Sequence, residues 1–283
     1  MSNVIDRACR LRTLLADETL RRLIGGITKL PSLPAVYHQL MAAMARPDVS
    51  MRSICDIVEQ DTAMCAKILQ LVNSACFGNA RHIARIDRAV SYLGMELIKN
   101  LALTVHVFSV TRLPSISRFS FDEEQRHAIL TARVASRMFT DTQQSQYAFT
   151  ASLLHDIGKL VLAISLPQGF AEATALHKTG GRADYLAEID VLGVSHAHVG
   201  AYLLGLWGLP YPIVEAVAHH HHPSAAAERV FDLPSATWLA DLLIDRELGL
   251  AREVDMHQLE TLNVASHLRV WSALAHEEVH DRR

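Results

Sequence analysis

The sequence predicts an all-α protein, and three observations carry that prediction. Apolar residues recur at three- and four-residue spacing in almost every segment, no long run alternates apolar with polar residues, and short polar residues stand just before several of the periodic stretches. The set Ile54, Ile57, Val58, Met64, Ile68, Leu69 and Val72 shows the first of these.

Taken in order, the opening MSNVIDRACRLRTLLADETL mixes acids and arginines through its apolar residues. It reads as an amphipathic helix and not as a secretory signal. Pro31 and Pro34 in KLPSLPAV make a stiff extended entry before a further helix. Helix starts are expected at Ser50, at Asp61 to Thr62 and at Ser120, where a short side chain can take a free amide of the first turn. The stretch TRLPSISRFSFD, residues 111–122, interrupts the periodicity with proline and serine. The expected division is therefore residues 1–112 and residues 113–283.

Of the 283 residues, 50% are hydrophobic and 20% charged, enough apolar material for one large domain or two modest ones. Disorder is excluded. A formal net charge of -3 gives no global attraction to nucleic acid or to anionic lipid. Arg81, Arg85 and Arg88 form a basic stripe at helical spacing, but no aromatic residue interleaves it, so it reads as a solvated face and no nucleic-acid partner is expected. Cys9, Cys55, Cys65 and Cys76 form no CxxC pair and sit in apolar stretches, as reduced core thiols of a cytoplasmic protein would. The uncharged run from Val191 to Val214 is broken by glycines, prolines and histidines, so no membrane span is expected.

Chemistry belongs to the second half, because eight of the sixteen histidines fall between His155 and His222. In SLLHDIGKLVL, His155 and Asp156 stand together in an otherwise apolar stretch. An ionised carboxylate there costs several kcal/mol unless it is paired or bound to metal. An ion pair to Lys159 is one solution and a metal ion is the other. Glu123 and His127 share a helix face at i,i+4, although Glu123 also fits a capping box begun by Ser120. His196 and His198 point about 200° apart on a helix, so only one of them can face a common site. His219 to His222 precede Pro223 and can be either ligands or a solvated helix end. Asp241 lies on an apolar helix face, with Asp245 nearby as a substitute. Together these residues resemble a bundle site in which ligands project from facing helices. Nitrogen and oxygen donors without thiolate favour iron, manganese or zinc, and two such ions could clamp a phosphate.

The order His127, His155-Asp156, Asp241 resembles the H…HD…D signature of the HD metal-dependent phosphohydrolase superfamily. Over residues 20–250 the chain is similar to the HDOD (HD-related output domain) family of bacterial signalling. In the first half the likeness rests on LPSLPAV, IVEQDTAMCAKILQLVNSACFG and IDRAVSYLGMELIKNLAL; in the second it rests on LLHDIGKLVL and HAHVGAYLLGLWGLPYPIVEAVAHHHHP. The resemblance implies an N-terminal helical subdomain packed against an HD-like bundle. It also implies one or two divalent ions held by Glu123, His127, His155, Asp156, His196, His220, His221 and Asp241, with Asp156 and Lys159 as the catalytic pair of any enzyme built on this site. The register of the double histidine comes from the family's spacing to Pro223. Related cyclic-dinucleotide enzymes carry an acidic-Gly-Tyr-Pro loop after that pair, where this chain has PSAAAERVFD.

Two functions follow as expectations. One is a signal-transduction module acting through a protein partner, with the metal cluster as a structural or sensory element. The other is a metal-dependent phosphohydrolase taking a nucleotide or phosphodiester, with Lys159 as a point charge on phosphate.

Overall fold

A computed structural model describes residues 35–60, 85–95, 119–180, 183–207, 209–223, 231–250, 256–262 and 264–281, with a few isolated positions between them. Every regular element among the described residues is helical. The expected start at Asp61–Thr62, the amphipathic opening, Cys9, Cys65, Cys76 and Arg81 lie outside the described residues. The chain divides into two compact units, Met1–Leu30 with Arg112–His276, and Pro31–Thr111 with Glu277–Arg283.

In the smaller unit, α1 (Ala35–Met44) packs on α2 (Met51–Val58), and α2 on α3 (Ile86–Leu93). Ser50 starts α2 with a reciprocal cap: its hydroxyl accepts from the Ser53 amide at 3.1 Å while its own amide donates to the Ser53 hydroxyl. The helix then buries Ile54, Cys55 and Val58, and α3 buries Ile86, Ala89 and Val90. In each set one residue lies three and four positions from the other two, which puts all three on a single apolar face. Arg85 and Arg88 are exposed, and Arg85 pairs with Asp87 at 2.9 Å as part of a solvated face.

The larger unit contains α4 (Phe121–Ser136), α5 (Thr142–Leu154), α6 (Ile157–Ser165), α7 (Pro167–Gly180), α8 (Asp184–Leu192), α9 (His196–Leu206), α10 (Tyr211–His219), α11 (Leu233–Glu247), α12 (Met256–Thr261) and α13 (Leu268–His276). Side chains at Ser120, Asp141, Ser195 and Asp232 accept first-turn amides and set four of these helix starts. α4 and α5 form an antiparallel hairpin, α11 lies on α4, α5 and α10, and α9 lies between α6 and α10. α11 is buried along its length from Leu233 to Ile244, as a central helix apolar on most sides must be. Beneath the site, the Ser152 hydroxyl meets the Thr237 hydroxyl at 3.1 Å and ties α5 to α11.

One apolar stretch, Thr142–Ser165, has the length and composition of a membrane span, but 78% of its most apolar window is buried inside the protein. The run near Val191 is broken between α8 and α9, whose axes bend by 83°. Trp271 of α13 stacks on Phe231 at 4.9 Å and on His267 at 5.2 Å, closing the bundle beside α11.

Candidate metal centre

The histidines and carboxylates meet where helix ends converge on the middle of α11. His155 and Asp156 occupy the turn that separates α5 from α6, rather than the interior of one helix as the apolar context implied. Asp156 has φ -97° and ψ 9° and makes no side-chain cap to α6, so its carboxylate is turned to the cluster instead. His196 is the first residue of α9, His220 is the C-cap of α10, and His221 lies in the turn that follows it. His127 comes from α4, and Asp241 and Asp245 from successive turns of α11.

The outer partners fix the ring orientations. His155 Nδ1 lies 2.6 Å from the Ser152 carbonyl, and His220 Nδ1 lies 2.8 Å from the Val217 carbonyl. A carbonyl only accepts, so both rings donate from Nδ1 and turn Nε2 inward. His196 Nδ1 donates to Glu188 Oε2 at 2.7 Å, which turns its Nε2 inward as well.

Inside, the donors crowd one another. His155 Nε2 is 3.3 Å from Asp156 Oδ2 and 3.4 Å from Asp241 Oδ1, while His196 Nε2 is 3.1 Å from Asp156 Oδ1. His196 Nε2 also lies 2.8 Å from His221 Nε2 and 3.4 Å from His220 Nε2. Three overlapping triads result: His127, His155 and Asp241; His155, Asp156 and His220; and His196, His220 and His221. Within each, the donor atoms lie within 4.8 Å of one another.

Two buried atoms at the middle of this array, His155 Nε2 and Asp156 Oδ1, make no hydrogen bond. An imidazole lone pair facing two carboxylates needs positive charge between them, either a proton or a cation. The electrostatics express the same demand. At His155, Asp156 and Asp241 outweigh burial and hold the ring protonated well above the ordinary range. At His196, Glu188 and Asp156 likewise overcome burial and push the pKa up to about 10. Burial and those two positive rings then push His220 down to about 3, and burial with His220 holds His221 well below its ordinary range. A divalent cation would supply this positive charge and accept the inward lone pairs, so the residues fit a metal ion.

A fourth group borders the cluster. Lys159 Nζ contacts Asp156 at 2.7 Å, Asp184 at 3.0 Å and Glu124 at 3.5 Å. Burial opposes its charge, but the three carboxylates hold its pKa well above the ordinary value.

Comparison with known proteins gives this arrangement a family. The HDOD domain matches residues 30–223, more than half of the chain. The chain belongs to the HDOD family. A relative from Treponema pallidum (strain Nichols), itself described only as an uncharacterized protein, is 26% identical over 218 residues. That match covers 77% of this chain but only 42% of the relative. Among solved structures, an HDOD domain protein of unknown function from Geobacter sulfurreducens has a TM-score of 0.72 at 22% identity, covering 95% of this chain and 99% of the other. A candidate signal transduction protein from Marinobacter aquaeolei VT8 has a TM-score of 0.71 at 22% identity, covering 99% and 64%. These likenesses establish the HDOD fold.

Within the HDOD match lie all the histidines of the cluster, whereas Asp241 and Asp245 come from beyond it. The structure brings together His127, His155, Asp156, His196, His220, His221 and Asp241, with Lys159 alongside. It does not bring in Glu123, which is exposed and whose amide donates to the Ser120 hydroxyl at 3.3 Å. Its neighbour Glu124 reaches Lys159 instead, because that side of the first turn of α4 faces α6. Asp245, held open above as a substitute, is nearer His127 than Asp241 is, at 2.9 Å against 3.5 Å. His198 is half-buried outside the triads, and His222 is exposed with its ring edge on Tyr185.

Sequence reading missed Glu188, Asp184 and Tyr185 altogether. Asp184 and Glu188 form an i,i+4 acidic pair, which is a visible signal. Nothing local, however, shows that Gly193, at φ 77° in the left-handed region, lets the chain reverse so that Glu188 faces His196.

Proposed function

We propose that this HDOD chain is a signal-transduction module that keeps an HD-type divalent metal centre and acts mainly through contacts with a protein partner. The observation that carries the reading is the inward convergence of His155, His196 and His220 Nε2 on the carboxylates of Asp156 and Asp241. His127, His155, Asp156 and Asp241 would hold one ion, and His196, His220 and His221 would complete a second position around Asp156. A partner-binding role is supported by the signalling name of the Marinobacter protein and by the sequence PSAAAERVFD in place of the loop carried by cyclic-dinucleotide enzymes. The site is also closely walled, with His155, His196 and His220 fully buried, which suits a structural centre better than one with an open position.

One observation favours phosphohydrolase chemistry as a second reading: the Lys159 ammonium stands directly against Asp156 at 2.7 Å. When bound, a divalent ion supplies Lewis acidity toward a phosphoryl oxygen. Lys159 would then steady a phosphate as a point charge, while Glu124 and Asp184 compete for the same ammonium.

Metal content measured on protein purified without chelator or nickel, beside Asp156→Ala, tests the centre. Near-stoichiometric iron, manganese or zinc that is lost in the variant is expected. A phosphodiester screen on the loaded protein separates the readings: no turnover fits the partner-binding module, and metal-dependent turnover abolished by Asp156→Ala assigns the enzyme.

A further inference from the structure

We propose that Glu188 is the positioning residue that holds the His196 ring with Nε2 facing the centre, and that through it helix α8 is tied to the metal site. This rests on the metal centre proposed above. A single oxygen, Glu188 Oε2, accepts from the backbone amide of His196 at 2.6 Å and from its ring Nδ1 at 2.7 Å. One atom therefore fixes both the start of α9 and the direction of its first side chain.

The choice of a carboxylate is informative. At His155 and His220 a backbone carbonyl does the orienting, at no cost in buried charge. At His196 the orienting group is a glutamate only 3% exposed. Burying an ionised carboxylate is unfavourable unless its partner repays the lost hydration. A ring that donates to carboxylate is a more basic and better oriented ligand than one that donates to a carbonyl, and loss of such an outer partner commonly weakens metal binding about 10- to 100-fold.

Helix α8 grips the site at two further points. Asp184 lies 3.0 Å from Lys159, and the ring of Tyr185 stacks on His221 with centroids 4.4 Å apart and planes 19° from parallel. Residues 184, 185 and 188 share one helix face. Three members of the site are thus held from a single element, which packs on α7 and meets α9. Filling the centre and holding α8 in place therefore draw on the same contacts.

The test compares wild type, Glu188→Gln and Glu188→Ala by two readouts. Long-range nitrogen-proton NMR of the metal-free proteins reports whether the Nδ1 proton of His196 is held in a hydrogen bond, and cobalt(II) titration reports affinity and ligand field. In wild type a slowly exchanging Nδ1 proton is expected, lost to fast exchange in Glu188→Ala. Cobalt affinity should fall about 10-fold or more in Glu188→Gln and further in Glu188→Ala, with an altered ligand-field spectrum. Glu188→Gln preserves shape, so it remains informative if the alanine variant does not fold. Equal cobalt affinity and spectra in wild type and Glu188→Gln would overturn the role of Glu188 while leaving the metal centre standing. If wild type takes up no cobalt, the metal reading fails, and the NMR still decides Glu188: an Nδ1 proton held in wild type and lost in Glu188→Ala supports the positioning role, and one held equally in both overturns it.

Discussion

A Cβ added to Gly158 would stand 2.7 Å from the carbonyl carbon of His196 and 2.8 Å from its Cα, and closer still to the carbonyl oxygen. The first turn of α6 therefore lies directly on the backbone that begins α9. Gly200 completes the contact one turn later, where a Cβ would be 3.2 Å from the Gly158 nitrogen. Backbone rather than side chain must move to admit a methyl at position 158, so Gly158→Ala should destabilise by at least the roughly 1–3 kcal/mol of core overpacking. It should also displace His196 and lose metal. Urea denaturation and metal content check this, and an unchanged midpoint with full metal would contradict the close approach.

Removing the metal should lower stability by linkage, because the unfolded chain cannot assemble the three triads. With free metal at 100 times its dissociation constant the effect is about 2.7 kcal/mol. A chelator should therefore lower the thermal midpoint of wild type and leave that of Asp156→Ala unmoved, as scanning calorimetry would record.

Lys159 neutralises Glu124, Asp156 and Asp184 at a part-buried position. Replacing it by methionine leaves those carboxylates uncompensated, at a cost on the order of 3 kcal/mol. The double variant Lys159→Met with Asp184→Asn should recover part of that loss. Strict additivity of the two single changes in denaturation experiments would show that the pair does not interact.

Asp241 and Asp245 serve His127 unequally. Asp241 Oδ1 lies by both His127 and His155, at 3.5 and 3.4 Å, whereas Asp245 Oδ1 lies against His127 at 2.9 Å. Asp241→Asn should therefore abolish binding at that triad, and Asp245→Asn should weaken it about 10- to 100-fold as an orienting partner would. Zinc competition with a chromophoric chelator distinguishes the two, and the reverse ranking would make Asp245 the ligand.

Trp271 provides the contrast, since it is buried against Phe231 and His267 and has no part in the triads. Trp271→Ala should cost about 3–5 kcal/mol in stability while the folded protein keeps its full metal content. Loss of metal at temperatures where the variant is folded would mean that α13 supports the site.

The sequence by itself determined the helical class, the starts at Ser50 and Ser120, and most of the histidines and carboxylates that meet in the cluster, from His127 to Asp241. These are readable because apolar period, capping and residue chemistry are properties of near neighbours in the chain. Tertiary structure decided which donors share a centre. It placed His155 and Asp156 at a break between helices, chose Glu124 over Glu123 for the side facing Lys159, put Asp245 beside His127, and brought in Glu188 from a helix no motif marked. Each of these choices depends on how one helix lies against another, through the glycine contact of α6 with α9 and the left-handed turn at Gly193. Convergence of ligands is a long-range property of packing, and spacing along the chain does not encode it locally.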